Sequence, residues 1–142
     1  ETLVSRRYGA LIVIERDEGL RTFVETGIPI DARLSYDLLV NLFTPGTPLH
    51  DGAAVVQGAR IAAAGCFLPL SMRPDLSTAY GSRHRAALGI SEETDAVAVV
   101  VSEERGALSV AEGGRLHSDL DRRDLRDLLL HLLLLGRPKG VR

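Results

Sequence analysis

His50 and Asp51 stand directly before Gly52 and the apolar run Ala53-Ala54-Val55-Val56, with Pro45, Gly46 and Pro48 marking a loop just upstream. A carboxylate at such a loop-to-strand junction is a hard oxygen ligand or a base for a hydroxyl proton, and a neighbouring imidazole can share its metal ion. A second cluster, Ser82-Arg83-His84-Arg85, offers guanidinium forks and a hydroxyl suited to phosphate oxygens. A third, Ser102-Glu103-Glu104, adds another hydroxyl and two carboxylates. Taken singly these are ordinary: Asp-Gly is a common turn dipeptide, and paired arginines usually serve surface solvation. His84, flanked by both arginines, suits a structural hydrogen bond as well as catalysis. Three such clusters, each at the edge of an apolar segment, point to one site that supplies most of what group transfer at a phosphate requires.

The elements that carry these clusters follow from hydrophobic periodicity. Residues 9–15 form a continuous β-branched apolar run that suits a central strand covered on both faces. Residues 16–19 read as a turn, 22–26 as a short strand, and 27–31 as irregular, because Pro29 cannot donate to a ladder. Ser35 is an N-cap for a helix with Leu38, Leu39, Leu42 and Phe43 on its apolar face, ended by Pro45-Gly46. That helix delivers the chain to His50 and Asp51.

Residues 53–57 and 60–67 read as a hairpin around Gly58-Ala59, after which Pro69 and Pro74 impose a loop. Residues 82–88 read as a short helix whose first turn turns N–H groups toward an anion. Residues 96–101 and 107–111 are a strand and its hairpin partner, with turns at 103–106 and 112–114. Asp119 or Asp121 caps a final helix bearing Leu125, Leu128, Leu129, Leu132 and Leu133 at helical spacing. Leu130, Leu134 and Leu135 fall outside that stripe and widen its apolar surface, for which an ordinary core is expected ahead of a partner interface. Residues 137–142 form a basic tail with the composition of a flexible end.

With 142 residues, 45% of them hydrophobic and 25% charged, the chain reads as one domain over residues 1–142 that buries roughly two thirds of its unfolded surface. A formal net charge of -2 leaves no basic footprint for nucleic acid. Cys66, the single cysteine, has no partner within the chain and lies in an apolar stretch, which predicts an inert buried thiol in a reducing compartment. No stretch reaches the roughly 20 apolar residues of a membrane span. The chain opens at Glu1 in what reads as the tail of a helix, so it is expected to be a domain excised from a longer protein. Its strands, hairpins and helices indicate an α+β (mixed α/β) class.

In order, Leu49-His50-Asp51-Gly52-Ala53, Leu68-Pro69-Leu70-Ser71, Gly81-Ser82-Arg83-His84-Arg85-Ala86-Ala87, Gly89-Ile90-Ser91 and Val101-Ser102-Glu103-Glu104 resemble the motifs of the diadenylate cyclase domain. The resemblance runs from about Arg7 to the final helix and is nearest to the membrane-anchored type. It implies a central mixed, largely antiparallel β-sheet flanked by helices, and the condensation of two ATP into cyclic di-AMP with release of two pyrophosphates. The 3′-hydroxyl of one nucleotide would attack the α-phosphorus of the other, so two protomers must face each other in a homodimer or higher oligomer.

Carried over by position, the resemblance implies catalytic roles for Asp51, Gly52, Arg83, His84 and Arg85. It implies ATP contacts at Gly52, Ala53, Phe67, Leu68, Ser82, Arg83, His84, Arg85, Ser102 and Glu103, with Mg2+ or Mn2+ held by Asp51, Glu104 and His50. It also implies a cytoplasmic domain whose only membrane contact is through segments outside this chain. Ser82 stands where the family commonly has threonine and Phe67 where tyrosine is frequent; serine keeps the hydroxyl and phenylalanine the stacking face.

Three other classes compete, of which a structural scaffold whose polar loops are only turns does not explain the three clusters together. A non-catalytic module sensing ATP or a cyclic dinucleotide could use the same loops, although a carboxylate aimed at an anionic ligand then serves only to hold metal and nucleotide. A metal-dependent phosphohydrolase, suggested by the adjacent His50-Asp51, needs ligands dispersed on helices, whereas this pair precedes a strand in a chain with four histidines. Asp51→Asn is expected to keep ATP binding, read as a rise in unfolding temperature with nucleotide, while losing turnover. Normal product formation by that variant would refute the catalytic role of Asp51.

Overall fold

The computed structural model describes residues 8–76, 80–102 and 107–135. Among them a seven-stranded sheet runs in the order β2-β4-β3-β1-β5-β6-β7. The strands are β1 (Ala10–Ile14), β2 (Ile28–Arg33), β3 (Ala53–Gln57), β4 (Arg60–Cys66), β5 (Val97–Val101), β6 (Leu108–Glu112) and β7 (Arg115–Leu120). Only the β1–β3 pair is parallel, so the sheet is mixed and largely antiparallel, as expected. The helices are α1 (Arg21–Val24), α2 (Tyr36–Leu42), α3 (Ser82–Glu93) and α4 (Arg122–Leu130), the last continuing into a wider π-type turn, His131–Leu135.

The apolar run of β1 sits at the centre because both of its faces are covered. Leu11 and Val13 pack with Val55, Ala98 and Val100 beneath Ala86, Ala87 and Ile90 of α3. Ile12 and Ile14 face the other layer, where Leu42 and Phe43 follow from α2 and Leu125, Leu128, Leu129 and Leu132 from the α4 segment. Ser35 caps α2, its Oγ accepting from Leu38 N–H at 3.1 Å. Asp121 caps α4, accepting from Asp124 N–H at 2.7 Å. Asp119, the other candidate cap, instead takes a positive φ of 55° within β7. Leu130 and Leu134 are exposed, so an ordinary core does not account for them, because they lie off the stripe that packs on the sheet; a groove of about 820 Å³ opens between α2, α4 and the sheet. Among the described residues no helix is long and apolar enough to cross a membrane.

Three sequence readings are corrected and one strand is added. Residues 22–26 are not a strand: Phe23 and Val24 donate to Leu20 O at 3.0 and 2.9 Å and close one helical turn. Leu20 is fully buried and its N–H is held by Glu15 Oε2 at 2.9 Å, so the chain turns there instead of extending. Residues 27–31 are not irregular but enter β2, an edge strand, where the missing N–H of Pro29 costs least. The irregularity concentrates at Asp31, which takes φ 48° beside a register shift and is gripped by Arg60 through Nε–Oδ1 at 2.9 Å and Nη2–O at 2.6 Å. α3 extends past residue 88 to Glu93, because Ile90 and Ser91 continue its buried face. Strand β7 had no apolar alternation to announce it; the left-handed Gly113 and Gly114, at φ 56° and 78°, form the tight turn that folds it onto β6. The turn read at 103–106, the tail at 137–142 and the helical end at 1–6 lie outside the described residues.

α3 lies close to the loop that crosses it. Ser71 N–H donates to Arg85 O at 2.9 Å, and a Cβ on Gly89 would collide with the carbonyl oxygen of Pro69 and come within 3.0 Å of Ser71 N. Backbone on backbone cannot yield as a side chain can. Gly89→Ala is therefore expected to lower the unfolding free energy by about 3 kcal/mol, the upper range for overpacking, as measured by urea denaturation; unchanged stability would show that loop and helix separate freely.

Candidate active site

Strand register brings the polar clusters together. Ala10 pairs with Val101 across the antiparallel β1–β5 ladder, Ile12 with Ala54 across the parallel β1–β3 ladder, and Ala53 with Cys66 across β3–β4. The start of β1, the start of β3, the end of β4 and the end of β5 thus share one end of the sheet. The first turn of α3 reaches the same end, since the Arg83 guanidinium lies against Gly9 and its Nη2 is 3.8 Å from Asp51 Oδ1.

Asp51 is the outermost of these groups, its side chain 84% exposed, while that of Arg83 is 23% exposed. His50 Nε2 stands 3.6 Å from Asp51 Oδ1. Its Nδ1 is 2.7 Å from Thr47 O, and a carbonyl can only accept, so the neutral ring carries its proton on Nδ1. Nε2 then presents a lone pair beside a carboxylate, the pairing that a divalent ion takes from an oriented histidine. Among the described residues no group of three or more His, Cys, Asp or Glu is arranged to hold a metal, so Asp51 and His50 form a partial donor set. Glu103 and Glu104, the other expected carboxylates, lie outside the described residues.

Gly52 takes φ 107°, and a Cβ there would sit 2.8 Å from Gly65 C and 3.0 Å from Cys66 O. The close approach it permits is to the backbone of β4, which seats the Asp51 turn on its neighbour. Ala53 is fully buried in the core under α3. Phe67 directly follows β4 and is 74% exposed, and its N–H donates to Thr26 Oγ1 at 2.8 Å. Leu68 is half-buried against the α3-side core. Burial pushes the Cys66 thiol up to about 11, so it is the inert thiol that its surroundings predicted.

Gly81, the N-cap residue of α3, has no side chain with which to cap the first turn. Ser82 is exposed there, and the positive end of the helix faces the Asp51 side of the sheet. His84 is buried, its ring tilted against Tyr80 with centroids 4.7 Å apart. Arg85 is half-buried, with Nη1 3.5 Å from Arg73 O. Ser102 closes β5, nearly buried, its N–H donating to Ala107 O at 2.9 Å. The arrangement combines an exposed carboxylate, an imidazole lone pair, two guanidinium groups and a helix N-terminus beside an exposed phenylalanine. Such a set can take a metal-bound polyphosphate carrying an aromatic base. Thr47, Thr26, Tyr80 and Gly9, which orient the groups above, were not singled out in the sequence: Thr47 and Tyr80 act on the nearby His50 and His84 through turn geometry that no residue pattern marks, and Thr26 and Gly9 act on residues remote in the linear order.

The family model described as DisA bacterial checkpoint controller nucleotide-binding matches residues 1–116. The chain is 52% identical over 127 residues to the cyclic di-AMP synthase CdaA of Bacillus subtilis, covering 89% of this chain and 46% of that protein. It is 51% identical over 132 residues to the diadenylate cyclase of Listeria monocytogenes, covering 93% and 48%. The chain therefore spans about half the length of these curated relatives. A crystal structure of DacA from Staphylococcus aureus, a double mutant, matches with TM-score 0.91 and 47% identity over 94% of this chain and 89% of that one. A hypothetical membrane spanning protein from Bacillus cereus matches with TM-score 0.81 and 44% identity, over 84% and 59%.

Gly52→Ala combines a left-handed backbone with a backbone collision, so the Asp51 turn must lift from β4. The variant is expected to lose about 2 kcal/mol or more of stability, read by urea denaturation; wild-type stability would show that the turn does not depend on that contact.

Proposed function

The chain belongs to the diadenylate cyclase family, and from that membership we propose that it condenses two ATP molecules into cyclic di-AMP, releasing two pyrophosphates. The observation that carries this reading is the meeting of Asp51 and Arg83, 3.8 Å apart, at the first turn of α3. A base for a hydroxyl and donors for phosphate oxygens then stand on the same face of one protomer.

Each protomer binds one ATP. The exposed ring of Phe67 offers a stacking face to adenine beside Leu68. Ser82, Arg83, Arg85 and the first-turn N–H groups hold phosphate oxygens, with Ser102 and Glu103 bordering the same nucleotide and His84 supporting the turn from beneath. Two protomers meet face to face, and the 3′-hydroxyl of one nucleotide attacks the α-phosphorus of the other. A new P–O bond forms, the bond to pyrophosphate breaks, and Asp51 draws off the hydroxyl proton. The arginines stabilise charge on the phosphorus oxygens as it moves toward the leaving group. Repetition with the roles exchanged closes the ring.

Magnesium or manganese fits the donor set of Asp51, His50 Nε2 and Glu104, the imidazole favouring manganese; when bound, such an ion neutralises polyphosphate charge. One protomer supplies one copy of each group, so the working unit is a homodimer or a larger assembly. The full protein is placed at the cytoplasmic face of a membrane. Support for this is the description of the Bacillus cereus neighbour as membrane spanning, together with relatives about twice the length of this chain.

The test is incubation of the purified chain with ATP and manganese or magnesium, with products identified by chromatography and mass detection. Cyclic di-AMP and pyrophosphate should appear only with metal, and the rate per protomer should fall on dilution as dimers separate. ATP binding without turnover at any protein concentration would replace the cyclase with a nucleotide sensor, and absence of ATP binding would remove both.

A further inference from the structure

Gly9 precedes β1 at the site end of the sheet, and the space where its side chain would stand is taken by another side chain. A Cβ built there would lie 2.5 Å from Arg83 Cζ, 2.5 Å from Nη1 and 2.9 Å from Nη2, its three nearest atoms. Its φ lies outside the left-handed region, so the backbone at this position would accept alanine. The bare Cα therefore has a purpose other than chain geometry. The same guanidinium also approaches Asp51, its Nη2 standing 3.8 Å from Oδ1.

We propose that Gly9 is a positioning residue for the reaction, its bare Cα forming the flat seat that holds the Arg83 guanidinium between the entrance of β1 and Asp51. The inference rests on the cyclase reading, in which Arg83 meets the phosphates. Arginine is long and rich in rotamers, and each rotamer excluded before ATP arrives is ordering that binding need not supply. A planar guanidinium laid on a strand backbone presents its remaining N–H fork in one direction, the condition for bidentate phosphate contacts and for charge stabilisation without reorganisation. A methyl group at position 9 requires carbon contacts of about 3.5–4.0 Å. The guanidinium must then withdraw by about 1 Å or more, and a misplacement of about 1 Å at a reacting centre costs on the order of 10²-fold in rate.

The test compares wild type, Gly9→Ala, Arg83→Ala and the double variant with ATP and manganese. Gly9→Ala should unfold at the wild-type temperature without nucleotide, bind ATP more weakly and lose about 10²-fold in kcat. In ATP affinity, Gly9→Ala should add nothing to Arg83→Ala, since the seat has no occupant there. Wild-type kinetics for Gly9→Ala, or a full additional loss of affinity in the double variant, would overturn the proposal while leaving the cyclase reading intact. If Gly9→Ala alone fails to fold, recovery of folding in the double variant supports the seat, and continued failure refutes it. Wild-type turnover and ATP affinity in Arg83→Ala would instead remove the phosphate role of that arginine, and the seat with it.

Discussion

Strand β1 pairs in parallel with β3 on one side and antiparallel with β5 on the other, and that double pairing decides where every site group stands. A slip of either ladder by one residue would exchange the strand's two faces. The apolar pattern of β1 opposes such a slip weakly, because both faces are buried among Val, Ile and Ala. The register is pinned by polar groups at the far end of the sheet. Arg16 donates to Asp95 O and to Leu132 O, each at 2.7 Å, and the Asp95 carboxylate receives the N–H groups of Asp17 and Glu18 at 3.0 and 3.1 Å. Glu15 adds a bond from its N–H to Val56 O at 3.0 Å and accepts from Gln57 Nε2 at 2.9 Å. These bonds tie β1 to both neighbours, and to the segment after α4, at the end opposite Asp51.

The site itself divides into groups that reach and groups that hold. Asp51, Ser82 and the Phe67 ring are exposed, while His84, Ala53 and Cys66 are buried directly behind them. Glycine joins the two sets where a side chain would separate them. Gly52 lets the Asp51 turn rest on β4, Gly89 lets the Pro69 loop lie on α3, and Gly9 lets Arg83 lie on β1. The three sites differ in what a methyl group would displace. At Gly52 and Gly89 the obstacle is backbone, so substitution acts on stability; at Gly9 it is the end of one flexible side chain, so substitution acts on function.

Much of this was legible in the linear sequence. The buried strands β1, β3 and β5, the Ser35 and Asp121 caps and the leucine stripe of α4 each follow from a local pattern, because full burial and capping leave strong signals. The elements misread or missed are α1, β2 and β7. β2 and β7 are the two edges of the sheet, where one unpaired side relaxes the demand for apolar alternation and tolerates Pro29 and polar residues such as His117 and Asp119. α1 is one turn long, and its conformation is set by the burial of Leu20 and the carboxylate of Glu15, not by its own residues.

For the site, residue types alone determined which chemistry was available: a carboxylate with an imidazole, two guanidinium groups and hydroxyls, in an order that marks the family. Local sequence also placed each cluster at the end of an element. Only tertiary structure decided that Asp51 and Arg83 meet, that Thr26 anchors Phe67, and that Gly9 lies under a guanidinium remote from it in the chain. The reason is physical. Element type follows from short-range propensity and hydrophobic period, which the chain carries in itself. Meeting across the sheet follows from strand register, which is the outcome of packing and polar pairing among segments far apart in sequence.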